Sequence, residues 1–222
     1  MTSIQQGKKS TVDTVCDALE KDILSMHFAP GAKITESDLS LRYGISRNTI
    51  REGIAHLLAQ GLLTKVANTG VFVRRFTVED VQEIFHLRQL LEAEAVRAIC
   101  ASGKNVHELY LLTEELEQID RLTQWDTYVQ KDIQFHKALV GQADSPRLSR
   151  LYETISAEVK LCIYQTRHYV SLPTEPNHTH RALVDAISCG NSGNAQLLVL
   201  QHIQHVVKRY CAGLLAMNNA TE

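Results

Sequence analysis

Apolar residues recur at three- and four-residue steps from Thr77 almost to the end of this 222-residue chain, and this long helical stretch constrains the fold most. Breaks fall at Gly103, Trp125-Asp126, Asp144-Ser145-Pro146, the Pro173–Pro176 stretch and Gly190–Gly193. They predict helices near 78–101, 105–123, 125–142, 146–170, 178–190 and 193–216, the first opened by a capping box of Thr77 and Asp80. Helices of this kind bury their stripes against one another, so the back of the chain is expected to be an all-α antiparallel six-helix bundle.

Ahead of Thr77 the pattern differs. Val12, Val15, Cys16, Leu19 and Ile23 mark a helix from Thr11 that stops before Ala29-Pro30-Gly31. A second, short helix has Thr35 as N-cap, Asp38 at the capping-box position and Gly44 as its C′ stop. A third is capped by Ser46, carries the stripe Ile50, Ile54, Leu57 and Leu58, and ends at Gln60-Gly61. LLTKV and VFVRR then alternate around the turn Ala67-Asn68-Thr69-Gly70, as a β-hairpin does. Three short helices and a hairpin are the order of a winged helix-turn-helix. The expected fold is therefore mainly α: a flexible N-terminus over 1–10, a winged helix-turn-helix with a small β-hairpin wing over 11–76, and the helical bundle over 77–222. Almost no linker separates the last two, so movement in one domain would reach the other.

Composition removes other classes. Hydrophobic residues make up 44% and charged residues 22%, which is globular rather than disordered. No apolar run approaches the ~18 residues of a membrane span, and no secretory leader is legible at the N-terminus. Five cysteines, an odd number without CxxC spacing, fit free packing thiols in a reducing cytosol. The net charge of −2 is unevenly spread: residues 1–76 carry ten Lys/Arg against seven Asp/Glu, while the rest carries thirteen against eighteen. Only the front is suited to a polyanion. Eight of the ten histidines lie in the back part, the first hint of a metal or pH-sensitive site there.

In a winged helix-turn-helix the third helix enters the major groove by its N-terminal end. That end carries Arg47, Asn48, Thr49 and Arg51, on the side opposite the apolar stripe. Arg pairs bidentately with guanine and Asn with adenine. Lys65, Arg74 and Arg75 flank the hairpin and suit phosphates, and Gly70 permits close approach at the wing tip. A solvated charged helix face is the bland alternative.

Residues 12–76 resemble the DNA-binding domain of GntR-family bacterial regulators, through FAPGAKITESDLSLRYGISRNTIREGIAHLLAQGLL and the later TGVFV. The resemblance implies operator contacts at Arg47, Asn48 and Arg51 and in the wing around Asn68, Thr69 and Gly70. One departure is Gly53, where family members commonly have Ala; mid-helix Gly costs about 1 kcal/mol against Ala, so this helix is expected to be slightly soft.

Asp132 and His136 are four residues apart and share a helix face with Phe135 and Leu139 nearby. His180 opens the next-to-last helical pattern and His202 lies within the last. One Asp and three His from three helices could converge on one cation in a bundle core. The donor set suits Zn²⁺ first, and also Ni²⁺, Mn²⁺ or Fe²⁺. Asp132 could instead pair with Lys131 or Arg121, and His178 or His205 could replace a neighbour.

LRQLLEAEAV, DIQFHKALV, HRALVDAI and AQLLVLQHI resemble the FCD effector domain of FadR-type GntR regulators, with a helix count like the VanR branch. That pattern assigns Asp132, His136, His180 and His202 as ligands. It implies a small carboxylate effector near the metal, held by Arg88 or by a second candidate, Arg167. A salt bridge to Glu92 is the alternative role for Arg88.

The expectation is a ligand-responsive regulator, a repressor in the family's usual direction, acting as a homodimer on a near-palindromic double-stranded operator. A regulator whose metal is purely structural is the alternative. A zinc hydrolase is remote, since HExxH is absent and no general base can be named.

Overall fold

The computed structural model describes residues 10–170 and 179–219. They form two compact units that divide between Arg75 and Phe76.

In the first unit α1 (Thr11–Leu24) opens with a reciprocal capping box of Ser10 and Asp13 and buries Val15, Leu19 and Ile23. β1 (Lys33–Ile34) leads into α2 (Glu36–Tyr43), and α3 (Arg47–Ala59) packs mainly on α1. Thr35 caps α2 as expected. Asp38 does not complete a reciprocal box, because the Thr35 hydroxyl donates to its carboxylate at 2.7 Å. Gly44 adopts φ 66° at the end of α2, a conformation that side chains with a Cβ resist. Ser40 Oγ donates to the Ile45 carbonyl at 2.6 Å, and Ser46 caps α3. Both ends of the helix-turn-helix corner are thus held by side chains.

The wing departs from a simple hairpin. β2 (Leu63–Val66) and β3 (Gly70–Val73) pair antiparallel, and β1 adds to the other edge of β3, giving the order β1-β3-β2. Lys33 stands opposite Phe72 and Ile34 opposite Val71. A strand of two residues is too short to show an alternating period, so sequence patterning misses it.

The second unit contains six α-helices among the described residues: α4 (Val78–Ser102), α5 (His107–Gln118), α6 (Trp125–Gly141), α7 (Pro146–Thr166), α8 (Thr179–Ser188) and α9 (Ser192–Asn219). Thr77 and Asp80 form the expected box, and Gly103 ends α4 in the left-handed region. α5 is shorter than predicted, because Asp120 accepts from the Leu122 N–H and the Thr123 hydroxyl and fixes a turn where helix was expected. α7 is also shorter, tightening into a 3₁₀ turn over Arg167–Tyr169. α4 and α9 form the most extensive helix pair. Phe85, Phe135, Ile99, Leu109 and Leu139 are among the fully buried core side chains. The five cysteines are free; Cys162 is buried but Cys189 is exposed, so packing does not account for all of them.

Candidate nucleic-acid interface and metal centre

The α3 stripe decides which side chains face outward in the first unit. Ile50, Gly53, Ile54 and Leu57 are buried, while Arg47, Asn48 and Arg51 are exposed. Thr49 is half-buried, its hydroxyl 3.0 Å from Ser46 Oγ in the cap. Arg51 is held in a two-point bond by Glu36, Nε to Oε1 and Nη2 to Oε2, each at 2.8 Å. Lys65, Asn68 and Thr69 are exposed on the wing, and Arg74 is half-buried at its base. Asn68 has φ 58° and Gly70 φ 135°, so the tip is a tight turn. Lys33 on β1 adds a cation there: a Cβ on Gly70 would sit 3.0 Å from its Cε. Arg75 donates to the Pro30 carbonyl at 3.2 Å.

In the second unit Asp132 and His136 project from α6, His180 from α8 and His202 from α9. Their ligand atoms all lie within 4.8 Å of one another. His180 Nε2 is 3.3 Å from His136 Nε2 and 3.3 Å from Asp132 Oδ1, and His136 Nε2 is 3.9 Å from that same oxygen. A tetrahedral shell with bonds of about 2.0–2.1 Å has edges near 3.3 Å. Two of these separations match that edge, one is longer at 3.9 Å, and all stay within 4.8 Å, so the four donors are grouped closely enough to approach a single ion. Among the described residues, His205 is exposed and outside the cluster. His178 lies outside the described residues.

The surroundings prepare the donors. Glu92 on α4 is fully buried and accepts three bonds: from Arg88 Nε at 2.7 Å, from the Tyr152 hydroxyl at 2.7 Å, and from His136 Nδ1 at 2.8 Å. A carboxylate offers only lone pairs, so the His136 proton sits on Nδ1 and the Nε2 lone pair faces the cluster. Burial alone would raise the Glu92 carboxyl, but His136 and Arg88 hold it far below the ordinary range. Burial lowers His136, and the Arg88 charge adds to this against the pull of Glu92. Burial, then the charges of His180 and His136, hold His202 well below its usual value. Both shifts favour the neutral imidazole, the form that binds a metal. Burial opposes ionisation of Asp132, but a hydrogen bond with His180 and nearby positive charges keep it ionised. Lys131 pairs with Glu115 rather than with Asp132.

The two arginines singled out for an effector part ways. Arg88 is buried in its pair with Glu92, and its charge acts on Asp132, His136 and His202. Arg167 is exposed, 4.4 Å above the Trp125 ring centre and 3.5 Å from Asp126.

Comparison with known proteins identifies the family. The FCD domain profile matches residues 83–205, more than half of the chain, and that of bacterial regulatory proteins of the gntR family matches residues 11–73. The chain belongs to the GntR family. It is 28% identical over 183 residues to the Nta operon transcriptional regulator of Aminobacter aminovorans, covering 82% of this chain and 85% of that protein. It is 27% identical to the transcriptional repressor RspR of Escherichia coli (strain K12), covering 85% and 83%. A solved GntR-type regulator from Rhodococcus sp. RHA1 shares the fold with a TM-score of 0.74 at 23% identity, covering 91% of this chain and 98% of that one. The family and these relatives are transcriptional regulators, not enzymes. No described helix is long and apolar enough to cross a membrane.

Two partners in this GntR protein escape a residue-pattern reading. Glu36 stands fifteen positions before Arg51 across a turn, a separation with no periodic signal. Glu92 is visible as a neighbour of Arg88 one turn on, but its bond to His136 spans 44 positions and is a product of packing.

Proposed function

We propose that this regulator is a cytoplasmic repressor that binds a near-palindromic operator as a homodimer and releases it when a small organic acid binds in the helical unit. The observation that carries this reading is the convergence of Asp132, His136, His180 and His202 beside a buried Arg88–Glu92 pair. These four residues would hold one divalent ion, zinc before nickel, manganese or iron, which when bound supplies a Lewis-acid contact for a carboxylate. Charge balance supports an anionic ligand. A divalent ion and Arg88 bring three positive charges, Glu92 and Asp132 two negative ones, and a buried excess charge favours a counter-ion. Arg88 is the cation placed to attract that carboxylate; Arg167 is the weaker candidate, being engaged by Trp125 and Asp126.

Arg47, Asn48 and Arg51 are assigned to base edges, and Thr49, Lys65, Asn68, Thr69, Gly70 and Arg74 to the DNA backbone. Exposed Leu87 and Leu90 on α4 and Leu151 on α7 support a dimer, because these two helices pack together and their apolar outer residues lack cover in the single chain. Repression follows the direction named for RspR.

A second reading has its own observation: the cluster offers four protein donors, the number that fills a structural zinc site without an outside ligand. Metal content by inductively coupled plasma mass spectrometry, on untagged protein and on His180→Ala, tests the centre first. About one ion per chain, lost in the variant, is expected. No metal after incubation with zinc, nickel or manganese and desalting refutes it. Operator affinity with sugar acids, hydroxy-acids, amino acids and aromatic acids then separates the readings: a change above about fivefold, roughly 1 kcal/mol, excludes a purely structural ion.

A further inference from the structure

Glu36 is not among the side chains that sequence assigns to the DNA, yet it controls one of them. Its carboxylate grips the Nε and Nη2 edge of Arg51, with both bonds at 2.8 Å. A guanidinium is planar, and gripping that edge leaves one geometry open. The end that faces away from the side chain keeps one N–H on Nη1 and one on Nη2. Those two parallel donors match the O6 and N7 acceptors of guanine. We propose that Glu36 is a positioning residue that presents the outer fork of Arg51 to a guanine in the major groove. This rests on the assignment of Arg51 to a base edge given above.

Three observations support the assignment. Arg51 follows Arg47 by one helical turn, so both lie on the exposed face of α3. Glu36 is the first residue of α2, directly after the Thr35 cap, where the positive end of the helix favours an anion and the backbone is fixed. The pair is exposed, with 62% of the Arg51 side chain and 36% of the Glu36 side chain open to solvent. Exposed ion pairs contribute little to stability, so the consequence of this one is the direction in which Arg51 points.

The proposal separates from simple electrostatics by sign. A carboxylate near DNA repels every phosphate, so removing its charge strengthens binding to any sequence. Removing a positioning residue weakens binding only where Arg51 reads a base. Glu36→Gln therefore shifts specific and non-specific affinity in opposite directions.

The experiment uses the full chain and a pool of randomised duplex DNA. A preferred motif is selected with the unsubstituted protein. Base preferences are then measured for Arg51→Ala and Glu36→Gln, with affinities for the selected and a scrambled duplex. Arg51→Ala is expected to flatten a guanine preference at one motif position. Glu36→Gln is expected to flatten that same position, to lower affinity for the selected duplex about tenfold, and to raise affinity for the scrambled one. Its thermal midpoint should stay unchanged. If Arg51→Ala flattens no position, the assignment of Arg51 to a base fails and the proposal falls with it. If Arg51→Ala flattens a position that Glu36→Gln leaves sharp, the proposal alone is overturned. It is overturned equally if Glu36→Gln weakens both duplexes alike or lowers the midpoint, since Glu36 then supports the fold rather than aiming Arg51.

Discussion

Gly53→Ala should destabilise the DNA-binding unit, although helix propensity alone argues the reverse. Ala is better than Gly in a helix interior by about 1 kcal/mol. A Cβ on Gly53, however, would lie 2.7 Å from Val15 Cγ1 and 3.5 Å from Val15 Cβ. Carbon contacts are favourable at about 3.5–4.0 Å, so the new methyl intrudes by nearly an ångström. Val15 is 1% exposed and β-branched, so it cannot swing aside, and α1 and α3 must separate instead. Overpacking of this kind costs about 1–3 kcal/mol, which leaves a net loss between zero and about 2 kcal/mol. Urea unfolding followed by far-ultraviolet circular dichroism measures it. The single tryptophan, Trp125, lies in the other unit and so does not report directly on the α1–α3 contact. In a Val15→Ala background the space exists, and Gly53→Ala should there be stabilising by up to about 1 kcal/mol. A gain of about 1 kcal/mol in the unsubstituted background would refute the close α1–α3 packing.

Arg47→Ala should weaken operator binding by about 1–3 kcal/mol and relax base preference, whereas Lys65→Ala should weaken all duplexes alike and reduce the salt slope; gel-shift titrations on selected and scrambled DNA distinguish them. Glu92→Gln should weaken zinc binding about 10–100-fold, by removing the group that fixes the His136 proton on Nδ1, while Tyr152→Phe leaves it within a few-fold. Competition against a chromophoric chelator reads both, and equal losses would contradict the tautomer argument. Asp22 makes a third case: burial opposes its charge, but hydrogen bonds from Arg42 and Tyr43 outweigh this and leave its pKa below the unfolded value. Its stabilising contribution is therefore complete above the unfolded carboxyl pKa of about 3.9 and is lost as pH falls through the lower folded value. Asp22→Asn should flatten that acid limb in a pH titration of the unfolding midpoint.

The elements most legible in the sequence are those whose signals are local. Thr35, Ser46 and Thr77 cap helices where their hydroxyls predict, and Gly44 and Gly103 end helices in the left-handed region. Local rules fail where a long-range partner decides. β1 exists because Val73 exchanges backbone bonds with Gly31 and Ala32, which no property of Lys33 and Ile34 announces. The expected softness of α3 at Gly53 ignores Val15, which makes the glycine a packing requirement. At the candidate metal centre the i, i+4 spacing of Asp132 and His136 is legible, and the helical positions of His180 and His202 add two further donors that the family pattern also implies. That Glu92 orients His136 was hidden, since Arg88 offered a sufficient partner one turn away.

The donor set also has a consequence for the chain as a polymer. Among the described residues His180 sits in a helix of ten, below the roughly 12–15 at which an isolated helix becomes even marginally stable in water. An ion shared with His136 and His202 would act as a cross-link, closing loops of 44 and 22 positions from His180. Cross-links stabilise by removing freedom from the unfolded chain, and long loops lose the most. The short α8 would gain most of that benefit, since α4 and α9 are long and already pair extensively. Chelation should then speed amide exchange in α8 well before α4 or α9, making this one helix the place where metal occupancy becomes local order.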